Sequence, residues 1–510
     1  MTKWFLIGVS LLLFSSKVNV QKGKTELPNI VIIYVDDLGY GDIGVNGAIG
    51  VKTPNINRLA DSGINFTDAH SSAATCTPSR YSLLTGTYAF RNNAKILEGD
   101  APLIIDPETR TIADMLKDAG YTTGVVGKWH LGLGDGNADW NGRVSPGPKE
   151  VGFDYSFLIP ATGDRIPTVF LENQKVVGLD PKDPIVVDYK KQVEGGYPTG
   201  REYPERLKQY ADNQHLDAIT NGISRIGFMS GGKNALWVDE KFPFILTEKA
   251  NSFIDKNDSK PFFLFFSLHD IHQPRIAHEN FIEASSMGPR GDVIAQMDWC
   301  VGQIMGKLDQ KGLTENTLIV FTSDNGPILD DGYLDYAREL VGDHRPGGIY
   351  RGSKYSIYEA GTRMPTIVSW PGEVKPGISR ALLSQVDLYA SFADLVGQEL
   401  NENDALDSEN LIEAWTGKTQ QGREILFEQA YAYAIRQGRY KYIQPKKNAS
   451  VAQWFDLKFV DPGFSINPML FDLAADPGET NNIAAHHPEK VKELDQFLEN
   501  ILNEPTRKMR

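Results

Sequence analysis

Short apolar runs alternate with amphipathic stretches along most of the chain. The run Ile30–Val35 is continuously apolar, and the amphipathic stretch that follows it begins after Thr53, a good helix cap, and ends before Gly63. This alternation predicts buried strands that are connected by helices. The predicted strands are Ile30–Val35, Thr122–Val126, Phe262–Leu268 and Leu318–Phe321, and the predicted helices are Pro54–Ser62, Thr111–Ala119, Asp292–Gly312 and Val386–Val396.

The order of these elements predicts an α/β fold. Strands that are apolar throughout and separated by helices are typical of a mostly parallel central sheet covered by helices. Between Ile166 and Lys260 the pattern weakens into segments rich in Pro, Gly and charge, which predicts long loops or insertions that shape a binding surface. Near the C-terminus, Ile425–Tyr442 predicts a hairpin and Lys490–Leu502 an amphipathic helix, which together indicate a small α+β subdomain.

The start of the chain has the pattern of a targeting segment. Met1-Thr2-Lys3 is followed by the apolar stretch Trp4–Phe14, so residues 1–20 are predicted to be a secretory signal peptide that is too short to span a bilayer. We therefore expect an exported protein, periplasmic or secreted, without stable membrane insertion. Residues 27–400 are predicted to form the main N-terminal domain, and residues 401–510 the C-terminal subdomain.

Composition excludes several classes of partner. A chain of 510 residues with 41% hydrophobic content can bury a large core. The formal net charge of −14 argues against nucleic acid or an anionic membrane as partner, so an anionic substrate would have to be attracted by a locally basic pocket. With only two cysteines, the fold does not depend on a disulfide framework.

One cysteine heads a pentapeptide typical of a nucleophile site, Cys76-Thr77-Pro78-Ser79-Arg80. Thr77 is a good helix cap, Pro78 suits the first helical position and Gly86 can end the helix, so the sequence predicts Cys76 at a helix N-terminus. Free N–H groups, the helix dipole and the charge of Arg80 would favour an anionic group beside it.

The second cysteine leaves an alternative open. A disulfide between Cys76 and Cys300 is possible in an exported protein. However, Cys300 lies in the predicted helix Asp292–Gly312, whose apolar residues recur at helical spacing. This position favours a buried core thiol instead.

Polar clusters follow the predicted strands. They are Asp36-Asp37, then Gly127-Lys128-Trp129-His130, then His269 and His272, and finally Asp324-Asn325-Gly326. Taken singly, each has a structural interpretation as a turn, a cap, a solvated loop residue or a hydrogen-bonded histidine. Because ligands bind beyond the carboxyl ends of strands in open α/β sheets, the clusters together predict one site.

The residue types in these clusters indicate a metal. Asp36, Asp37 and Asp324 would repel one another unless a cation neutralised them. With the carbonyl of Asn325 they offer hard oxygen ligands, which favour Ca²⁺, or less well Mg²⁺, over zinc. The groups that could hold a tetrahedral oxyanion nearby are Arg80, Lys128, His130, His272 and Lys354.

Two long motifs carry a resemblance to a known family. Cys76-Thr77-Pro78-Ser79-Arg80 continues to Leu84-Thr85-Gly86, and a second motif runs from Gly120 through Lys128-Trp129-His130. In both, the chain resembles the formylglycine-dependent (type I) sulfatases of the alkaline phosphatase-like superfamily, over nearly all of Asn29–Leu502. The resemblance implies an alkaline phosphatase-like core and a sulfuric ester hydrolase.

The resemblance also implies roles for individual residues. Cys76 would be oxidised to formylglycine by a formylglycine-generating or anaerobic maturation enzyme, and its hydrate would be the nucleophile. The implied calcium ligands are Asp36, Asp37, the modified Cys76, Asp324 and Asn325. Arg80 and Lys128 would hold the hydrate, and His130 would assist regeneration of the aldehyde. His272, with His269 as second choice, would bind sulfate and protonate the leaving group. Lys354 would also bind sulfate.

The substrate is predicted from loop residues and from the family branch. Asp164, Arg165, Asp343, His344 and Arg345 share loops with the site and could bind sugar hydroxyls, although each also fits an ordinary loop salt bridge. The stretch from Asn221 to Gly227 is similar to bacterial relatives of the arylsulfatase and N-acetylgalactosamine-6-sulfatase branch, which implies polysaccharide degradation on sulfated galactose-type sugars, with 6-O-sulfate favoured, or on algal oligomers. The alternatives are a phosphomonoester or phosphonate ester hydrolase and a sulfated-glycan-binding protein without turnover.

Overall fold

The computed structural model describes Met1, residues 27–446, Phe455 and residues 457–504. The predicted signal peptide at residues 1–20 lies outside this part of the chain, except for Met1. Among the described residues, every helix is too short or too polar to cross a membrane.

The core of the protein is a 10-stranded sheet. Its first strand in the sequence, Asn29–Val35, is buried along its whole length and pairs in parallel with Phe262–Ser267 on one side and Thr317–Ser323 on the other. In spatial order the strands are Gly377–Ser379, Gly63–Phe66, Thr366–Ser369, Thr317–Ser323, Asn29–Val35, Phe262–Ser267, Thr122–Lys128, Tyr155–Ile159, Leu171–Glu172 and Lys175–Val176. Antiparallel pairings begin at Thr366–Ser369 on one side and at Leu171–Glu172 on the other. The predicted parallel centre is confirmed.

Helices cover both faces of this sheet, because alternate side chains of each buried strand enter apolar clusters on opposite sides. The helices of the described part of the chain, including the last one, which packs on a smaller sheet, are Pro54–Asp61, Cys76–Thr85, Ile112–Asp118, Phe242–Asn257, Gly288–Lys311, Ala337–Leu340, Glu359–Thr362, Leu388–Val396, Ile412–Trp415 and Pro488–Asn503. At Thr111 the side chain accepts hydrogen bonds from the N–H groups of the first turn, as expected for a cap.

The region predicted to consist of loops is more regular than expected. It contains the helix Phe242–Asn257, whose residues Leu246, Ala250 and Ile254 are buried at helical spacing. The surrounding Pro- and charge-rich sequence obscured that period. The rest of the region is mostly irregular, as predicted, and contains short strand pairs, among them Val186–Asp188 with Phe228–Ser230 and Ile219–Thr220 with Ile223–Ser224.

A four-stranded antiparallel sheet lies near the C-terminus. Its strands are Ile425–Gln429, Tyr433–Gln437, Tyr440–Ile443 and Met469–Asp472. The prediction of a hairpin over Ile425–Tyr442 is therefore wrong, because this segment contributes three strands and Met469–Asp472 adds a fourth. The predicted terminal helix is present as Pro488–Asn503, and its residues Leu494 and Leu498 pack into an apolar cluster with the sheet.

A buried ion network connects this small sheet to the main core. Lys441 Nζ lies 3.1 Å from Glu359 Oε1, and both guanidinium nitrogens of Arg436 donate to Asp68 at 2.7 Å. Burial alone would raise the pKa of Glu359, but Lys441 and Arg363 hold it well below its usual range. The carboxylates thus stay charged inside the protein because cations from the C-terminal sheet and Arg363 of the main core both reach them.

Candidate active site

The nucleophile motif forms a buried helix. The helix spans Cys76–Thr85 and begins before the position that the sequence predicts, so Thr77 is not its cap but lies in the first turn. Its hydroxyl donates to the carbonyl of His130 at 2.9 Å instead. Gly86 ends the helix at φ 65°, in the left-handed region that glycine adopts readily. Cys76 therefore does lie at a helix N-terminus, as predicted.

Both cysteines are free thiols, so the alternative of a disulfide between them is wrong. Cys300 lies in the helix Gly288–Lys311 and is fully buried in the apolar cluster on one face of the sheet. Burial raises the pKa of its thiol. This cysteine has the environment of a core residue, as the helical spacing predicts.

The strand ends bring the acidic residues together. Asp36 and Asp37 follow Asn29–Val35, and Asp324 follows the neighbouring strand, so all of them meet at the carboxyl edge of the sheet. The backbone N–H of Asp37 donates to Asp324 Oδ1 at 3.3 Å, and the side-chain amide of Asn325 donates to Asp37 Oδ1 at 2.7 Å.

Each of these carboxylates also has a cationic partner. Lys128 Nζ lies 2.5 Å from Asp36 Oδ2, and Arg80 donates to Asp324 Oδ2 through Nε at 3.0 Å and through a terminal nitrogen at 2.8 Å. Arg80 is further fixed by Ser267 and by the carbonyl of Lys128. Three predicted catalytic or metal-binding clusters therefore share one buried network.

The network has the features of a divalent cation site. Asp36 Oδ1 and Asn325 Oδ1 are buried and have no hydrogen-bond partner among the described residues. Burial, and to a smaller extent the charge of the neighbouring Asp324, raises the pKa of both Asp36 and Asp37. A cation at these oxygens would satisfy them and reverse the repulsion, so the residues present fit the hard metal predicted from the sequence.

His130 is held in a defined tautomer. Its Nε2 lies 3.0 Å from the carbonyl oxygen of Leu97, which can only accept, so Nε2 carries the proton. Its Nδ1 is buried and has no partner in the described part of the chain. Burial and the charge of Lys128 hold the pKa of His130 well below its usual range. The ring is therefore a neutral proton acceptor at Nδ1.

The two histidines after Phe262–Ser267 differ in environment. His272 faces the cavity beside Cys76, and its Nε2 lies 3.9 Å from Asp37 Oδ2, while Nδ1 donates to the carbonyl of Gln273 at 2.5 Å. His269 does not line that cavity, and its Nε2 accepts from the N–H of Gly163 at 2.9 Å. Burial lowers the pKa of His269 to about 3. The structure thus brings His272, and not His269, to the cavity that Cys76 lines.

A cavity of about 560 Å³ opens above Cys76. Its lining consists of Cys76, Ile96, Leu97, Glu98, His130, Asp164, Arg165, Gln214, His215, Ile226, His272, Asp331, Lys354, Tyr355, Tyr431 and Lys458. Asp164 pairs with Arg165 at 2.7 Å, and His215 lies between Asp164 at 3.5 Å and Asp212 at 2.6 Å. Although burial alone would lower the pKa of His215, these carboxylates raise it.

The remaining sequence-predicted sugar-binding residues do not reach this cavity. His344 is buried and its Nε2 contacts Asp42 Oδ1 at 2.8 Å, while Asp343 and Arg345 are exposed outside the lining. This corrects the expectation for these positions, because their loop turns away from Cys76 before Lys354 returns to it.

Several lining residues were missed by sequence reasoning. Asp331 follows Asp324 in the same loop, so a search along that loop could have included it. His215 and Lys458 come from irregular segments that carry no periodic signal and are far from Cys76 in the sequence. Only the tertiary fold brings them to the cavity.

Comparison with known proteins agrees with this site. The sulfatase family model matches residues 28–398, and the model of the N-sulphoglucosamine sulphohydrolase C-terminal region matches residues 350–508. The chain is 50% identical to the N-acetylgalactosamine-6-O-sulfatase of Bacteroides thetaiotaomicron, over 97% of this chain and 98% of the relative. It is 30% identical to human arylsulfatase A, over 92% of this chain and 87% of that protein.

A solved structure shows the same fold. It concerns the metabolism of multiple glycosaminoglycans by Bacteroides thetaiotaomicron and matches with a TM-score of 0.91 at 50% identity, covering 94% of this chain and 99% of the other. The family match spans most of the chain and includes the helix of Cys76, the paired aspartates and the strand ends. The chain therefore belongs to the sulfatase family, and it is a sulfuric ester hydrolase.

Proposed function

We propose that this sulfatase removes 6-O-sulfate from N-acetylgalactosamine or galactose units of sulfated glycans. The observation that carries the proposal is the 50% identity to an N-acetylgalactosamine-6-O-sulfatase across 97% of the chain. The cavity above Cys76 has a volume of about 560 Å³, within the range typical of small-molecule sites. It would admit the end of a glycan, so we propose an exo-acting enzyme.

The far wall of the cavity offers groups that suit a sugar. Burial alone would raise the pKa of Asp164, but Arg165 and the hydrogen bond from His215 hold it well below its usual range. This favours the charged carboxylate, which can accept hydrogen bonds from sugar hydroxyl groups. The guanidinium of Arg165 and the imidazole of His215 supply donors beside it. We propose these residues as the sugar-binding part of the site.

For the reaction, we propose that Cys76 is converted to formylglycine and that one hydroxyl of its hydrate attacks sulfur. The S–O bond to the sugar breaks, the sugar oxygen takes a proton, and a covalent sulfate ester remains on residue 76. Removal of a proton from the second hydroxyl then expels sulfate and restores the aldehyde. His130 Nδ1 is a neutral acceptor suited to that proton.

Charged groups around residue 76 would stabilise the sulfate. Arg80, Lys128 and Lys354 are buried cations at the cavity floor or beside it. A calcium ion held by Asp36, Asp37, Asp324 and Asn325 would add positive charge at the sulfate oxygens when bound. Burial, Lys354 and Lys128 hold the pKa of His272 well below its usual range in the absence of a bound anion. We propose that a sulfate ester bound beside it raises this pKa, so that His272 Nε2 carries the proton for the leaving oxygen.

The cellular setting is also a proposal. The N-terminal pattern supports export to the periplasm or beyond, and conversion of Cys76 requires a maturation enzyme of the formylglycine-generating or anaerobic type. Cys76 is 1% exposed in the folded chain. We propose that the maturation enzyme acts before this region has folded.

The substrate assignment predicts a clear preference between positional isomers. We expect the matured enzyme to release sulfate from N-acetylgalactosamine 6-sulfate at least ~100-fold faster, by kcat/KM, than from the 4-sulfate, because a misplaced ester would not reach residue 76. Sulfate release measured by ion chromatography checks this. Equal rates would contradict the 6-O assignment, and turnover of phosphate esters alone would favour a phosphoryl ester hydrolase.

The role of His130 predicts a trapped intermediate. In His130→Ala the second step loses its proton acceptor, so we expect kcat to fall ~10²- to 10⁴-fold. Mass spectrometry of the peptide that contains residue 76 would then show the sulfate ester accumulating during turnover. A slow variant whose residue 76 stays free of sulfate would place His130 in the first step instead.

A further inference from the structure

Lys354, which the proposed mechanism uses to bind sulfate, is held by a carboxylate outside the cation site. Its Nζ lies 3.0 Å from Asp37 Oδ2 and 2.9 Å from Asp331 Oδ2. An ammonium group has three donors in a fixed tetrahedral arrangement. With two of them directed at carboxylates, the direction of the third is determined, and Lys354 lines the cavity above Cys76.

Asp331 itself is fixed from several sides. The hydroxyl of Tyr355 lies 3.1 Å from Asp331 Oδ1, and the N–H of Asp331 donates to Gln273 Oε1 at 2.8 Å. Gln273 also accepts from the N–H of Tyr333 and donates to its carbonyl. The loop that carries Asp331 is therefore tied to the residue next to His272, so the two sides of the cavity keep their relative position.

A second cation comes from the C-terminal part of the chain. Lys458 Nζ lies 2.9 Å from Asp331 Oδ1, and Lys458 is buried to 7% exposure in the cavity wall. Burial alone would raise the pKa of Asp331, but Lys354 and Lys458 lower it. The two lysines thus favour the charged form of Asp331, which bridges their ammonium groups.

The charges decide what this bridge does. The charges of Asp331 and Lys354 alone would cancel, so an anionic ester would gain little electrostatic attraction from this neutral pair. Because Lys458 also contacts Asp331, this carboxylate is shared between two ammonium groups and does not neutralise Lys354 alone. Without Asp331, Lys354 would be left with Asp37, one of the proposed cation ligands, as its carboxylate partner among the described residues.

We propose that Asp331, held by Lys458, is a positioning residue that aims Lys354 at the sulfate group and keeps it from closing on Asp37. The inference rests on the proposed sulfate-binding role of Lys354. It also gives Lys458 a direct part in the geometry of the active site. This residue lies between the third and fourth strands of the C-terminal sheet in the sequence.

A double-mutant cycle tests the proposal on the full-length matured enzyme. We expect Asp331→Asn to lower kcat/KM ~10- to 100-fold and to weaken inhibition by inorganic sulfate by a similar factor. In the Lys354→Ala background the same change should cost less than ~2-fold, because a positioning residue has no effect once its target is removed. Equal losses in both backgrounds would overturn the proposal.

The Lys458 variants keep the test valid if Asp331→Asn folds poorly. We expect Lys458→Met to lower kcat/KM and Lys458→Arg, which keeps the charge, to restore most of it. Lys249→Met, which removes the partner of Glu172 at a site outside the cavity, is the matched control and should leave kcat/KM unchanged. No loss in Lys458→Met would overturn the role of Lys458, whereas full activity in Lys354→Ala alone would overturn the sulfate-binding role on which the inference depends.

Discussion

Replacing Cys76 by alanine is expected to abolish sulfate release, with a loss of at least ~10⁴ in kcat, as for enzymes that lose their nucleophile. The methyl group cannot be oxidised to an aldehyde, so no hydrate forms at the helix N-terminus. The remaining groups of the site, including Arg80 and Lys128, would still bind the sulfate ester. We therefore expect the variant to retain affinity for substrate, measured by calorimetry, while sulfate release falls to background.

The chain provides its own control in the second free thiol. Cys300 is buried in the core, and Cys300→Ala removes only one sulfur atom from an apolar cluster. We expect full kcat in that variant, with a modest loss of stability. Peptide mass spectrometry should find the aldehyde at residue 76 in the wild-type and in Cys300→Ala. Turnover by protein that holds an intact thiol at residue 76 would contradict the formylglycine mechanism.

Asp324→Ala is expected to remove both the bound cation and the activity. This carboxylate receives two hydrogen bonds from Arg80 and one from the backbone of Asp37, so its loss would deprive the buried guanidinium of its nearest carboxylate and leave it with Asp36 at 4.0 Å. One fewer oxygen ligand would also leave Asp36 and Asp37 less able to hold a divalent ion. We expect calcium content, measured by plasma mass spectrometry, and kcat to fall together, the latter by at least ~10³.

A variant at a buried ion pair outside the site serves as the control that distinguishes loss of the cation from loss of stability. Asp387 accepts two hydrogen bonds from Arg423, at 2.8 and 2.9 Å, in a comparably buried position. Removing it should destabilise the protein by about 3–5 kcal/mol, as for other broken buried pairs, while any folded molecules keep their calcium. If Asp324→Ala retains stoichiometric calcium and turnover, the metal site assigned here is wrong.

The sequence carried most of the information about the catalytic centre. Asp36 and Asp324 lie directly after buried strands, Lys128 is the last residue of another, and His272 lies in the loop that follows Phe262–Ser267. Adjacent parallel strands place their ends at one edge of a sheet. Strand periodicity and a local motif were therefore enough to bring them together. The family resemblance added the roles of these residues, which spacing alone does not provide.

The substrate side could not be predicted equally well. His215, Asp331 and Lys458 reach the cavity from irregular segments, whose course depends on tertiary contacts and not on a local pattern. His344 shows the opposite error, since this polar residue near Lys354 in the sequence forms a hydrogen bond with the buried carboxylate of Asp42 and does not face the cavity. Closeness along a loop does not determine which way each side chain faces.

The buried ion network between the small C-terminal sheet and the main core limits how this sulfatase can be recombined. Lys441 and Arg436 neutralise Glu359 and Asp68, which lie on the other side of that junction. A chimera whose new C-terminal region lacks a cation at these two positions would keep both acids and their contacts with Arg363 but lose one buried ion pair at each. Because Arg363 remains, we expect the cost at each acid to stay below the about 3–5 kcal/mol of a buried charge left without any partner. Exchange of specificity by domain shuffling would thus be least disruptive when all four positions are inherited together.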